Sequence, residues 1–561
     1  MDNNYETDKF RVRFRRGLET LVSHGGVRHA AVTRVYDSED RVCCYALTNA
    51  AGRGLGVALS YRGSYLTNTV YALPDGGVLA ARLTRDPGRR NLVTRRDHTF
   101  NGNSIYWYST GFDLLGRPTN ATDSVSLARK WLYNRRSELA AALIGTNSYG
   151  YAYDTIGNRT LSYANVTTNT YTANNLNQYT QVGRDAPIAP PVAFSYDADG
   201  NMTNDGRFTY TFDAENRLLS ACPIVPAENA LAVEHAYDHR HHRIRKTVKR
   251  YNGAEWQLAE THDFVWDGNN IILETIAFAD GTMRTCEYFW GNDLSGTEQG
   301  AGGVGGLLSV SVDGAFFIPC YDHNGNIVCY VSESGSIAAQ YVYAPYGNVV
   351  EQYGSNPNLF NFGFSTKYLD REVDLVGYQY RFLRPSLGRW LNRDPIEERG
   401  GENLYAMCNN NPVLCLDIHG LIIFVTHTPG TPPPTGWSSS LAHGMEVATF
   451  RSYKVNKITY SNGRVGFSIE FENPSETRID IYVRLTATRW SFEAESEHVA
   501  CDVPYDEALG VFKTEVESIY ACPADAQKLW KEADDRRESA WKACQKCNYE
   551  LDKPGGPHGH Y

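Results

Sequence analysis

The sequence predicts a mainly β protein, a long array of β-hairpins followed by a small α+β domain. Three observations carry this prediction. The phrase Tyr-Asp-x-x-Gly-Asn recurs, as Tyr153-Asp154-Thr155-Ile156-Gly157-Asn158, as Tyr196-Asp197-Ala198-Asp199-Gly200-Asn201 and as Tyr321-Asp322-His323-Asn324-Gly325-Asn326. The composition holds 37 tyrosines and 49 glycines against 5 methionines, which suits a turn-dense β protein. Towards the C-terminus, from about Leu509, the apolar spacing changes from alternate residues to the three-or-four spacing of a helix.

Each unit of the array is an aromatic residue, an Asp, a tight turn and a short apolar run. Asp accepts a hydrogen bond from the backbone two residues on, and Gly or Asn accepts positive φ, so the phrase is a hairpin turn. The flanks alternate in strand formers, as in Phe208-Thr209-Tyr210-Thr211-Phe212. Looser copies are Tyr36-Asp37, Phe112-Asp113, Phe212-Asp213, Tyr237-Asp238 and Trp266-Asp267. Self-similar units of this kind bury their apolar faces on their neighbours, which is a scaffold signature. The function is therefore to be sought in what the scaffold holds.

At 561 residues the chain has room for a repeat array and a separate domain. Its net charge is −10, and neither part is basic, which argues against nucleic acid as a partner of the array. No stretch reaches the ~20 apolar residues of a transmembrane helix. The segment Met1-Asp2-Asn3-Asn4-Tyr5-Glu6 is too polar for a secretory signal. The Gly300–Gly306 stretch lacks the Gly-Lys-Ser/Thr ending of a phosphate loop and precedes the strand-like Leu307-Leu308-Ser309-Val310. No cofactor or metal is expected.

The most specific segment follows the array. It reads Gly377-Tyr378-Gln379-Tyr380-Arg381-Phe382, Gly388-Arg389-Trp390, Arg393-Asp394-Pro395-Ile396, Gly400-Gly401-Glu402-Asn403-Leu404-Tyr405, Asn410-Asn411-Pro412 and Asp417-Ile418-His419-Gly420-Leu421. This resembles the core segment that closes the repeats of the Rhs/YD-repeat family, and the Tyr-Asp phrases resemble that family's repeat. The resemblance implies a β-sheet spiralling as a shell, or lying as an open sheet, around a variable C-terminal passenger. It also implies self-cleavage just after the closing motif. Carried over to this chain, the catalytic pair is Asp394 and Asp417, with Arg393 as neighbouring charge partner and the scissile bond near Leu421–Ile422. Two carboxylates held close share one proton, so that one acts as base and the other as acid. The alternative is that both are turn starters. Two positions depart from the family pattern: Ile418 stands where Pro follows the second Asp, and Glu397 where Gly is usual.

Beyond the closing segment, Thr428-Pro429-Gly430-Thr431-Pro432-Pro433-Pro434 reads as an extended linker. Strands are expected over 455–460, 465–471 and 479–485, the first two joined by an Asn462-Gly463 turn. Helices are expected around Leu509–Ile519 and Pro523–Cys544. Cys501, Cys522, Cys544 and Cys547 are compatible with half a zinc site, with disulfides or with free thiols, and the spacing does not decide between them.

The predicted organisation is thus a repeat array over 1–361, a closing segment over 362–421, a linker over 422–440 and a variable α+β domain over 441–561. The resemblance implies a polymorphic-toxin-type secreted effector whose cargo is its own C-terminal domain. Secretion machinery, a target-cell surface and a cognate immunity protein would be its partners. The chain would be secreted or surface-bound by a route without a cleavable signal, and cytoplasmic before export. The alternative is a cell-surface adhesion or binding protein with a non-enzymatic C-terminal module.

Overall fold

A computed structural model describes residues 18–425 apart from 25–26, 40, 90, 185–190 and 422. It also describes four strands between 453 and 494. The chain divides into two units, Met1–Gly430 and Thr431–Tyr561. In the second, Tyr453–Thr459 pairs antiparallel with Val465–Phe471, and Ile481–Leu485 with Trp490–Ala494. Of the predicted 422–440 linker only Ile423–Val425 is described, as a strand paired with Cys415–Asp417 where the sequence predicts an extended linker. Its remainder, the predicted helices and the C-terminal cysteines lie outside the described residues.

The first unit is built from two antiparallel sheets in which every strand pairs with its neighbours in sequence. Sixteen strands run from Leu18–His24 to Val192–Ala193, and fourteen from Ser195–Tyr196 to Val349–Tyr353. No α-helix occurs among the described residues. Period-two patterning sets the faces. In Phe208–Phe212 the rings of Phe208 and Tyr210 are buried while Thr209 and Thr211 face water. Late strands lose this alternation. Leu307–Val312 is buried on both faces, and Asn49 from the first sheet donates to Ser311 Oγ at 3.2 Å and to Gly314 O at 3.0 Å. The sheets also meet where Tyr108 and Trp131 pack on His323 and where the Tyr153 and Tyr346 hydroxyls pair at 2.8 Å.

In the Tyr-Asp units the turn is a cage around one side chain. Asp113 Oδ1 accepts from the amides of Leu115 and Arg117, both at 2.9 Å, while Oδ2 accepts from Arg117 Nε at 2.7 Å. The same three bonds recur at Asp154 with Asn158, Asp197 with Asn201, Asp213 with Arg217, Asp238 with His242 and Asp322 with Asn326. The third residue after the acid is always in the left-handed region. Gly fills it at 116, 157, 200 and 325, whereas Ser137 and His241 adopt φ of 64° and 63° there. Asn stands in place of Asp at 49, 134 and 174: at 49 the amide turns to Ser311 and Gly314 and leaves Arg53 only a backbone bond, while at the other two the fourth residue changes from donor to acceptor. Asn134 Nδ2 donates to Glu138 Oε2 at 2.6 Å, and Asn174 Nδ2 to Gln178 Oε1 at 2.8 Å. Trp266-Asp267 departs from the pattern: its turn is the two-residue Gly268-Asn269, with Asp267 paired to Asn270.

Tyrosine hydroxyls tie the units together. Tyr61, Tyr133, Tyr153, Tyr237 and Tyr343 donate to the carbonyls of Val42, Pro118, Leu139, Leu218 and Ile327 at 2.6–3.0 Å. Each accepting residue directly follows the preceding unit's turn.

Candidate active site

The closing segment packs against the turns of the array. Its small four-stranded sheet comprises Tyr368–Asp370, Leu375–Gly377, Phe382–Arg384 and Arg389–Trp390. Asn410 Nδ2 donates to Gly157 O at 2.8 Å and Asn411 Nδ2 to Ser137 O at 2.7 Å. Asn324 Nδ2 donates to Pro412 O at 2.9 Å, and Tyr405 Oη to Gly200 O at 2.8 Å. The Arg389 guanidinium lies 3.9 Å from the Tyr179 ring centroid. The repeats thus supply carbonyls to Asn410, Asn411 and Tyr405, and Asn324 donates in return to the Pro412 carbonyl.

This docking brings together the carboxylates of Asp394 and Asp417, both buried. They share one cation: Arg381 Nη2 lies 2.9 Å from Asp394 Oδ2 and 3.3 Å from Asp417 Oδ2. Arg381 Nε donates to Gly420 O, Nη1 donates to Leu404 O at 3.3 Å, and the guanidinium covers the Trp390 ring at 4.4 Å. Asp417 Oδ1 accepts from the Leu421 amide at 2.7 Å, which pins the end of the motif. Leu421 stands in the turn between Cys415–Asp417 and Ile423–Val425, where Asp417 pairs with Ile423. Ile422 lies outside the described residues.

Gly400 marks how closely the carboxylate and the backbone approach. A methyl group there would fall 2.2 Å from Asp394 Oδ2 and 3.2 Å from the Leu421 carbonyl oxygen, so both line one small space. Burial pushes the Asp394 carboxyl up to about 6, with the Asp417 charge adding to the rise and Arg381 opposing it. Burial also raises Asp417 and lowers Arg381. Arg381 therefore lies between two carboxyls that burial holds above the ordinary carboxylate range.

Arg393 sits elsewhere. It is exposed, with its side chain against Gly200, and no ion pair joins it to Asp394 among the described residues. The cation at the pair is Arg381, which sequence adjacency did not reveal although it ends the Gly377–Arg381 phrase. Lys367 was also missed. Its Nζ bridges Gly302 O at 2.6 Å and Ile418 O at 3.2 Å, and burial lowers its amine to about 8. The Gly300–Gly306 stretch therefore serves as a seat for the closing strand. Its amides at Ala301 and Gly303 are taken by Asp293 Oδ2, at 2.7 and 3.0 Å, in place of an anion.

Away from this pair, Glu260, His262 and Glu372 lie close enough to share a cation, within 4.8 Å. His262 already bonds Glu274 at 2.7 Å and Glu260 at 3.0 Å, and Lys246 pairs with Glu372 at 3.0 Å. Lys246 and His262 already sit among these carboxylates, although Glu372 Oε2 has no hydrogen-bond partner among the described residues.

The Teneurin YD-shell family model matches residues 57–258 and 304–413, more than half of the chain. The chain belongs to the Teneurin YD-shell family. A tRNA3(Ser)-specific nuclease WapA from Bacillus spizizenii is 30% identical over 281 residues, covering 48% of this chain and 11% of the relative. A double-stranded DNA deaminase toxin A from Burkholderia cenocepacia is 25% identical over 342 residues, covering 57% of this chain and 23% of the relative. The chain therefore spans about a tenth to a quarter of the length of these relatives. In the crystal structure of TcdB2-TccC3-Cdc42, a region matching 72% of this chain and 22% of that one superposes with a TM-score of 0.53 at 15% identity, which is a likeness of fold. No helix among the described residues is long and apolar enough to cross a membrane.

Proposed function

We propose that this YD-shell protein carries its C-terminal domain as the cargo of a secreted, toxin-type effector and severs the chain after Leu421 with Asp394 and Asp417. One observation carries the cleavage reading. Both carboxylates sit on one guanidinium while Asp417 holds the Leu421 amide and Asp394 flanks the Leu421 carbonyl. In the reaction the ionised carboxylate takes a proton from water, whose oxygen adds to the Leu421 carbonyl carbon. The protonated partner donates towards the carbonyl oxygen, and the C–N bond breaks as the leaving nitrogen receives the proton. Arg381 keeps the two carboxyls together and steadies the negative charge they share. The likeness to a nuclease and to a deaminase toxin supports the reading of the C-terminal domain as an effector. An immunity protein and an export machinery would be its partners.

The test is the intact mass of the full chain beside an Asp394→Asn variant. Two fragments divided near residue 421 in the wild type and one chain in the variant are expected. A single chain of 62.8 kDa in both samples would sink the carboxylate mechanism and favour a surface-adhesion role with an uncut module.

A further inference from the structure

Strands Ala315–Tyr321 and Ile327–Ser332 pair antiparallel, and their register sets Cys320 directly opposite Cys329. Residues opposed in this way have Cα atoms about 4.5–5.5 Å apart, inside the roughly 4.4–6.8 Å range that a disulfide bridges. Both side chains are fully buried at 0% exposure, on the same side of the same strand pair. Both are free thiols in this structure. We propose that Cys320 and Cys329 are a modification site, forming a cross-strand disulfide when the chain folds in an oxidising, disulfide-exchanging environment.

The chemistry balances with a small disulfide such as oxidised glutathione as co-reactant. One cysteine thiolate attacks a glutathione sulfur, giving a mixed disulfide and one glutathione. The second cysteine thiolate attacks the protein sulfur of that mixed disulfide, closing the Cys320–Cys329 bond and releasing the second glutathione. Two protein thiols are oxidised and one glutathione disulfide is reduced to two thiols. Burial raises the Cys320 thiol well above its usual range, so exchange takes place before the strands close or through local opening of the hairpin.

The ring that this bond closes contains Tyr321-Asp322-His323-Asn324-Gly325-Asn326. That turn receives the closing segment: His323 Nε2 meets Val413 O at 3.1 Å, Asn324 Nδ2 donates to Pro412 O and Cys415 O, and Asn326 Oδ1 accepts from the Ser365 amide at 2.7 Å. Oxidation therefore makes permanent the hairpin that presents the Asp417 strand. The bond goes beyond the cleavage reading, and its detection does not depend on cleavage.

The experiment is synthesis of the full chain by cell-free translation in a glutathione redox buffer or in dithiothreitol. Free thiols are then alkylated in denaturant and the peptides mapped by mass. A Cys320–Cys329 linked peptide in the glutathione sample, lost in dithiothreitol, is expected. A Cys320→Val/Cys329→Val chain should lose the redox dependence of protease cutting within 321–328. Full alkylation of both cysteines in both samples, or linkage of either to another cysteine in place of its partner, overturns the proposal.

Discussion

The exchange of donor for acceptor in the turn cages can be transplanted from one unit to another. At Asp113 the acid accepts from Arg117 Nε at 2.7 Å, whereas at Asn134 the amide donates to Glu138 at 2.6 Å. Asp113→Asn alone leaves a donor facing a donor, or forces the amide to turn and strand two backbone N–H groups. Arg117→Glu alone sets two carboxylates face to face. Each single change removes a charge-assisted hydrogen bond, at about 1.5–3 kcal/mol. The double change rebuilds the Asn134–Glu138 arrangement, so the coupling between the two sites should be about 3 kcal/mol in favour of the double variant. Hydrogen exchange of the Leu115 and Arg117 amides reads this locally, since both donate to Asp113 Oδ1. At roughly 1.4 kcal/mol per tenfold, each single variant should exchange about tenfold faster or more, and the double variant should return towards wild type. Exchange in the double variant as fast as the product of the two single effects would refute the complementarity argument.

Three further outcomes concern the candidate site. Replacing Arg381 by Met removes the cation shared by two buried carboxyls and should cost about 3–5 kcal/mol near neutral pH. Below its raised value of about 6 Asp394 is protonated in the folded wild type and in the folded variant alike, so the deficit should grow as pH rises through and beyond about 6; equal urea midpoint losses at pH 4 and pH 8 would contradict this. If cleavage uses a proton held by Asp394, its rate in a single-turnover time course should fall about tenfold per pH unit above about 6, and a flat profile between pH 6 and 8 would exclude that role. Gly400→Ala puts a methyl group 2.2 Å from Asp394 Oδ2, so cleavage should drop at least about tenfold while the near-ultraviolet spectrum is retained.

Much of this architecture is legible in the sequence because the turn phrase is local. Asp, the left-handed third residue and the fourth-residue partner all lie within five positions, so composition and spacing reveal them together. The units at Asn134 and Asn174 escape a reading fixed on Asp, since their logic lies in the pair: Asn with Glu138 or Gln178 does what Asp does with Arg or Asn. The candidate site is less legible. Asp394 and Asp417 follow from the closing motif, but their cation does not follow from adjacency. Neighbours along an extended chain point to opposite sides, so Arg393 faces water where Asp394 faces inward. Arg381 arrives from the residue just before the Phe382–Arg384 strand, and Lys367 binds the Ile418 and Gly302 carbonyls together. Both depend on tertiary docking, which local spacing does not encode.

Five of the tyrosine bonds, those from one turn unit to the one before it, run one way. Tyr61, Tyr133, Tyr153, Tyr237 and Tyr343 each reach a carbonyl that lies earlier in the chain. A hairpin emerging from the ribosome therefore meets an acceptor that already exists, and leaves one for the hairpin that follows. The array is built to grow as it is synthesised, like courses of brick laid on set mortar. Its closing segment, which needs the turns near Ser137, Gly157, Gly200 and Asn324 all in place, is the last stone and locks only a finished wall.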